Sequence, residues 1–213
     1  MIRTKFHQKK FNTEYYKSDY DNFPRFSSYF TQIKLVKLLG KKNILEIGVG
    51  NKTVSNYLKN NNFKVTTFDC DLRLKPDYVG DVRKMPFKDK SFDIVLCSQV
   101  LEHIPFKYFE TSLKEIKRVT KKYAVISIPY SCIRFEITAR LQDKILDFLI
   151  IIPVFFLKMP NDLEHQWEMG RIGYSKRKIK KIINKVGFKI KKEEHPIFNP
   201  YHHFFILEVT GPK

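Results

Sequence analysis

An acid and two glycines close the first apolar run of the chain, in the order Glu46-Ile47-Gly48-Val49-Gly50, and a helical pattern opens at Thr53. Glycine has no Cβ, so backbone built from it can approach a ligand closely and take positive φ. A helix that starts just beyond turns its unpaired amides and positive dipole end toward a bound anionic group. Asp69 ends the next β-branched run, "FKVTTFD". It lies roughly twenty residues past the glycines, the place from which a carboxylate accepts both hydrogen bonds of a ribose diol. Taken singly, the glycines suit an ordinary tight turn and Asp69 a solvated one. At this joint spacing they predict a site for an adenosine-containing cofactor, and both NAD and S-adenosylmethionine satisfy the pattern.

The next stretch separates the two. "GDVRKMPFKDKSFDIVLCSQVLEHIP" places Asp81 and Val82 after a very short strand near Tyr78, an MPF turn after them, and LEH at the close of a buried strand. Over residues 43–130 the chain resembles the class I S-adenosylmethionine-dependent methyltransferases, especially the small-molecule "type 11"-like group with its "GD…LPF…SFD.V…LEH" pattern. That resemblance implies S-adenosylmethionine as cofactor. It implies that Glu46, Gly48, Val49 and Gly50 surround the methionyl moiety, and that Asp69, with Cys70 beside it, takes the ribose hydroxyls. It further implies that Asp81 and the backbone of Val82 meet the adenine edge, and that Ser98 and Gln99 flank the sulfonium. Two departures stand out. Lys52 occupies the place of the usual third glycine, and the second strand reaches the third with too few residues for an intervening helix.

Methyl transfer from a sulfonium is an in-line displacement that rests chiefly on proximity and orientation. A base is needed only when the nucleophile is a hydroxyl or an ammonium. The candidates are His103 in "LEHIP", and His165 and Glu168 in "EHQWEMGR". His103 suits either a contact at the substrate mouth or a brace for the next helix. The second cluster suits either an acceptor pocket walled by Trp167, or a capped loop in which Trp167 plugs the core and the charges pair with Arg171.

These residues need a frame to hold them. "SSYFTQIKLVKLLGKK" reads as a helix capped by Ser27 or Ser28, followed by strand "NILEI", a helix from Thr53 to Lys59, and strands "FKVTTFD" and "FDIVLCS". A helix with Phe109, Leu113 and Ile116 on one face precedes strand "YAVISIP". After residue 173 come a helix capped by Ser175, stopped at Gly187, and two strands, "FKIKKEEH" and "HFFILEVT". Strand–helix alternation of this kind predicts an α/β fold. We expect a Rossmann-like three-layer sandwich, its mostly parallel seven-stranded sheet carrying an antiparallel edge strand and an inserted lid segment. The expected organisation is one methyltransferase domain over 1–213. It comprises an N-terminal arm (1–25), a cofactor-binding core (43–130), a substrate or lid insert (130–173), and a C-terminal helix with edge strands (174–213). The insert holds the strongest apolar run, "FLIIIPVFFL" at Phe148–Leu157, read first as a buried or lid helix and second as an interfacial anchor. It is too short for a membrane span, which takes about 20 residues, so no transmembrane segment is predicted.

Composition narrows the partners. Forty Lys plus Arg against 22 Asp plus Glu give a formal net charge of +18, which favours anionic partners or reflects a lysine-rich genome. Cys70, Cys97 and Cys132 are far apart, which argues against a disulfide framework or a zinc site and fits a reducing cytoplasm. No metal is expected. The acceptor reads as a small molecule or a lipid- or glycan-linked metabolite, with peripheral membrane contact as a further expectation. Nucleic acid is the less favoured partner: no "NPPY"-type motif follows the fourth strand, where "CSQVLEH" stands, and "NPYHH" lies between the last two strands. The remaining alternatives are an RNA methyltransferase and a nicotinamide-dependent oxidoreductase, the latter leaving the Asp81–His103 series unexplained.

Overall fold

Seven strands, Tyr78–Val79, Lys64–Asp69, Asn43–Ile47, Phe92–Ser98, Thr120–Pro129, His202–Val209 and Phe188–Glu194, lie side by side in that order in the central sheet. A computed structural model describes residues 20–142, 144–154, 156, 158, 165–196 and 198–210. The strands are β1 (Asn43–Ile47), β2 (Lys64–Asp69), β3 (Tyr78–Val79), β4 (Phe92–Ser98), β5 (Thr120–Pro129), β8 (Phe188–Glu194) and β9 (His202–Val209). Strands β1 to β5 pair in parallel. The antiparallel strand is β9, which pairs with both β5 and β8 and so lies second from the edge. The central strands read as near-continuous apolar runs because both sheet faces are covered. In β4, Ile94, Val95, Leu96 and Cys97 are all buried.

Helices α1 (Phe23–Leu39) and α2 (Thr53–Asn60) border one core, containing Leu35, Val36, Val54 and Leu58. Helices α3 (Phe109–Val119) and α4 (Lys176–Val186) border the other, containing Phe109, Leu113, Ile116, Ile179 and Ile183. Helix α4 follows its sequence reading closely. The Ser175 hydroxyl accepts from Lys178 N at 3.2 Å, and Gly187 closes the helix at φ 92°. Helix α1 begins earlier than expected: Asn22, not Ser27 or Ser28, caps it by accepting from Arg25 N, with a proline in the first turn. Of the arm predicted over 1–25, residues 1–19 lie outside the described residues. Between β2 and β3 runs only a 3-10 turn, Leu72–Leu74, as the short spacing foretold.

The insert departs from the helix reading. Residues Cys132–Leu141 (β6) and Lys144–Pro153 (β7) form an antiparallel hairpin with its own two-stranded sheet. The pairing runs without a break from Cys132↔Pro153 to Leu141↔Lys144. A continuous apolar run does not reveal its period; here the partner strand decides it. "CIRFEITARL" alternates apolar with polar residues, and pairing to it draws the run into β conformation. Nor is the run buried throughout: Phe148, Ile150 and Ile152 are exposed, Ile151 and Val154 turn to the protein, and residues 155 and 157 lie outside the described residues.

Candidate active site

The cofactor-type residues converge where β1, β2 and β4 end. Gly48 N donates to Phe68 O at 2.9 Å, and Val49 N donates to the Asp69 carboxylate at 2.9 Å. Asp71 N donates to the other Asp69 oxygen at 2.9 Å. Asp69 is therefore the tie that closes the β1–α2 loop onto the end of β2. Burial raises its carboxyl above the ordinary range, and the two backbone donors only partly offset that. Gly48 sits at φ +81°, and a Cβ there would lie 2.3 Å from the Val100 methyl. Side-chain-free backbone at this position is a steric requirement.

The third-glycine position also keeps its backbone geometry. Lys52 stands at φ 65°, in the left-handed region, as N-cap of α2. A lysine there forgoes about 1 kcal/mol relative to glycine, and its ammonium donates to Lys75 O at 2.7 Å. The chain thus takes a left-handed turn at this position with a lysine.

Glu46 lies beneath this loop, buried, with Oε2 lacking any hydrogen-bond partner. Burial pushes its carboxyl up to about 8, against the lowering influence of Ser55 and Lys59. Ser98 Oγ, at the end of β4, is likewise buried without a partner. Gln99 follows at φ 54°, its backbone N–H held by Ser127 O at 3.0 Å and its side-chain amide by Ser127 Oγ at 3.1 Å. Asp81 follows β3, where its carboxylate accepts from Arg83 Nε at 2.9 Å. Val82 beside it is buried, whereas Cys70 is exposed.

A second cluster forms around Glu168. His165 Nδ1 lies 2.8 Å from one carboxylate oxygen, to which the Tyr201 hydroxyl also donates. Arg171 Nε donates to the other oxygen at 3.1 Å, and the Ser131 hydroxyl donates there too. Burial works against the charge, but these four donors outweigh it and hold Glu168 at about 2. Both carboxylate oxygens are thus engaged, one of them against His165. The His103 ring stands edge-on to His165, centroids 5.1 Å apart. Trp167 is fully buried, and its indole N–H is shared between Leu101 O at 3.2 Å and Ile104 O at 3.1 Å. It is a core plug that staples the insert to the turn after β4, not a pocket wall.

The fold thus brings His103, His165 and Glu168 together, and separately Glu46, Gly48, Val49, Gly50 and Asp69. Ser131, Arg171 and Tyr201 escaped the sequence reading as site residues. Tyr201 lies in "NPYHH", a segment far from the cluster in sequence that only strand pairing of β9 with β5 returns to it. No local signal marks Ser131.

Against known proteins, residues 45–128 match the family model of the methyltransferase domain. Magnesium protoporphyrin IX methyltransferase from Synechocystis PCC 6803, with bound S-adenosylmethionine, superposes with TM-score 0.62 at 15% identity, covering 98% of this chain and 95% of that one. A methyltransferase from Aquifex aeolicus superposes with TM-score 0.57 at 18% identity, covering 94% of this chain and all of that one. The 1,6-didemethyltoxoflavin-N1-methyltransferase of Burkholderia thailandensis, with bound substrate and S-adenosylhomocysteine, gives TM-score 0.57 at 12% identity, covering 86% and 79%. An uncharacterised protein of Methanocaldococcus jannaschii is 33% identical over 101 residues, 43% of this chain and 44% of that protein. The match spans less than half of that relative's length. The fold is that of the class I S-adenosylmethionine-dependent methyltransferases. Within it, residues 45–128 are the part that matches the methyltransferase-domain family model.

Proposed function

We propose that this protein transfers a methyl group from S-adenosylmethionine to a small molecule or a lipid- or glycan-linked metabolite in the cytoplasm. The observation that carries the reading is Glu46, a buried acid with an unpartnered oxygen beneath the glycine loop. Such a group suits a cationic ligand. The sulfonium nucleoside has a sulfonium and an ammonium on its methionyl end, whereas NAD would set a pyrophosphate against the acid. In this reading Glu46 and Gly48–Gly50 receive the methionyl moiety, Asp69 with Cys70 the ribose, Asp81 and Val82 the adenine, and Ser98 and Gln99 flank the sulfonium. When bound, the cofactor supplies an electrophilic methyl group. His103 and His165 are the groups that receive the acceptor, and Glu168 positions His165.

Calorimetric titration of the full chain tests this. S-adenosylhomocysteine is expected to bind with micromolar affinity and NAD not at all. Because Glu46 ionises only near pH 8, affinity should rise with pH by up to about tenfold per unit below that value and level off above it. Glu46→Gln should flatten the profile. NAD binding as tight as S-adenosylhomocysteine binding would overturn the reading.

The hairpin favours a lipid-linked acceptor. Directly paired residues share a face of an antiparallel ribbon, and the pairs Ile133↔Ile152, Phe135↔Ile150, Ile137↔Phe148 and Ala139↔Leu146 make one face wholly apolar. All of these but Ala139 are exposed large hydrophobics, a larger patch than monomers ordinarily present to water. Lys144 stands at the tip, and the basic chain complements an anionic surface. The ribbon also springs directly from Ser131, a ligand of Glu168, so a lipid surface held by it would lie next to the candidate site. No described helix is long and apolar enough to cross a membrane. In flotation with vesicles of mixed anionic and neutral lipid, the protein should co-float, and Phe135→Ser with Phe148→Ser should release it. Failure of the unaltered chain to float would remove the lipid surface from the proposal.

A further inference from the structure

Glu102 is completely buried, and neither oxygen of its carboxyl group has a hydrogen-bond partner. Two buried acceptors left unmatched in this way are costly unless something else satisfies them. Around them the fold gathers metal-ligating chemistry. One oxygen of Glu102, one ring nitrogen of His103 and one of His165 all lie within 4.8 Å of one another. The three come from two separate segments, the 3-10 turn Leu101–His103 after β4 and the return of the insert. The segments are locked together where Gln166 N donates to Glu102 O at 2.7 Å.

His165 is also held by a carboxylate. Its Nδ1 is engaged by the carboxylate of Glu168 at 2.8 Å, and that carboxylate is held in turn by Ser131, Arg171 and Tyr201. A proton fixed on Nδ1 leaves Nε2 as the nitrogen that carries the lone pair. Carboxylate–histidine pairs of this kind orient imidazoles toward metals and raise their basicity. The Glu168 network therefore has a purpose beyond packing.

We propose that Glu102, His103 and His165 form a binding site for one first-row divalent transition-metal ion, which takes a hydroxyl oxygen of the methyl acceptor as a further ligand. Two imidazoles with one carboxylate select Mn²⁺, Fe²⁺, Co²⁺ or Zn²⁺ over Mg²⁺ and Ca²⁺, which take all-oxygen sets. Bonds of about 2.0–2.2 Å require the three side chains to draw in around the ion from their present spacing. Three protein ligands leave coordination positions open.

The inference rests on the methyltransferase reading, and gives His165 the task of ligand. An acceptor hydroxyl bound to the ion becomes more acidic and gives up its proton to solvent. A lone pair of its oxygen forms the new O–C bond as the C–S bond breaks. The bonding pair leaves with sulfur, which becomes a neutral thioether. The acceptor class is accordingly a hydroxyl-bearing compound, methylated on oxygen.

Co²⁺ serves as the probe because its visible ligand-field bands report coordination directly. Chelator-treated full chain should bind one equivalent with micromolar or tighter affinity and develop those bands. Glu102→Gln, His103→Ala and His165→Ala should each weaken binding by at least about 30-fold, and Glu168→Gln by about 10–100-fold. Glu102→Gln keeps the shape of the side chain and adds no charge, so it spares the fold. If Glu102 is merely a buried protonated acid, that variant and the unaltered chain will behave alike and show no bands, which overturns the site. Cobalt binding that survives all three ligand substitutions overturns it equally. S-adenosylhomocysteine titration of the metal-free chain keeps the two readings apart. Nucleoside binding without cobalt bands sinks the metal site alone, and cobalt bands without nucleoside binding sink the cofactor reading and the acceptor's part in the site while leaving the three-residue metal site standing.

Discussion

Asp69→Asn is expected to weaken S-adenosylhomocysteine binding about 100-fold and to lower the melting temperature as well. The carboxylate accepts a backbone N–H on each oxygen, from Val49 at 2.9 Å and from Asp71 at 2.9 Å. Carboxylate oxygens have further lone pairs for a ribose diol. An asparagine carries only one acceptor atom, so its NH₂ group must face either a backbone donor or the diol. Leaving one buried amide unmatched costs about 1–3 kcal/mol. Losing the charge-assisted bonds to a ribose costs a similar amount, and about 2.7 kcal/mol corresponds to the 100-fold change. Calorimetry measures the first quantity and thermal unfolding the second. If the variant binds within about threefold of the unaltered chain, Asp69 does not hold the ribose.

Glu168→Ala is expected to destabilise the protein by about 3–5 kcal/mol, on the order of 10 °C in melting temperature for a chain of this size. Turnover should fall sharply while S-adenosylhomocysteine affinity stays within about threefold. Removing the carboxylate takes the counter-charge from the Arg171 guanidinium, which is only partly exposed and keeps Ser131 Oγ and Lys158 O as acceptors, and takes the partner from three further groups that turned to it. The glycine loop is built from other residues, so cofactor affinity is unaffected. Equal loss of nucleoside affinity would make the cluster purely structural. The effect has a pH signature. The folded state holds Glu168 at about 2, below the ordinary carboxylate value of 4.5. The native protein therefore keeps the carboxylate charged where the unfolded chain takes up a proton. Its contribution is complete above about pH 4.5 and is lost as pH falls toward 2. The stability gap between the two proteins, followed by denaturant unfolding, should narrow over that interval.

Much of the frame was legible because local rules and global fold agree in it. Buried runs such as "NILEI" and "FDIVLCS" become central strands, Ser175 and Gly187 bound α4, and Phe109, Leu113 and Ile116 bury one face of α3. The residues that the resemblance assigns to the cofactor gather for a related reason. They sit in sequence order at consecutive strand ends, so strand spacing alone brings Gly48, Asp69 and Ser98 to one edge. Lys52 was the instructive exception: the glycine was absent from the letters, yet its left-handed backbone persists.

The Glu168 cluster was not legible, because its residues meet only after the chain has been paired. The ten residues of β6 carry the alternation that identifies a strand, while the apolar run of β7 suits helix and strand equally until β6 lies beside it. Tyr201 reaches Glu168 across 33 positions of sequence, and Ser131 across 37. By itself the sequence determined the sheet, its helices and the gathering of Gly48, Asp69 and Ser98 at one edge, since those follow from periodicity and capping within short windows. Tertiary structure alone decided that Glu102, His103 and His165 converge and that Glu168 orients one of them, because long-range contacts leave no local pattern.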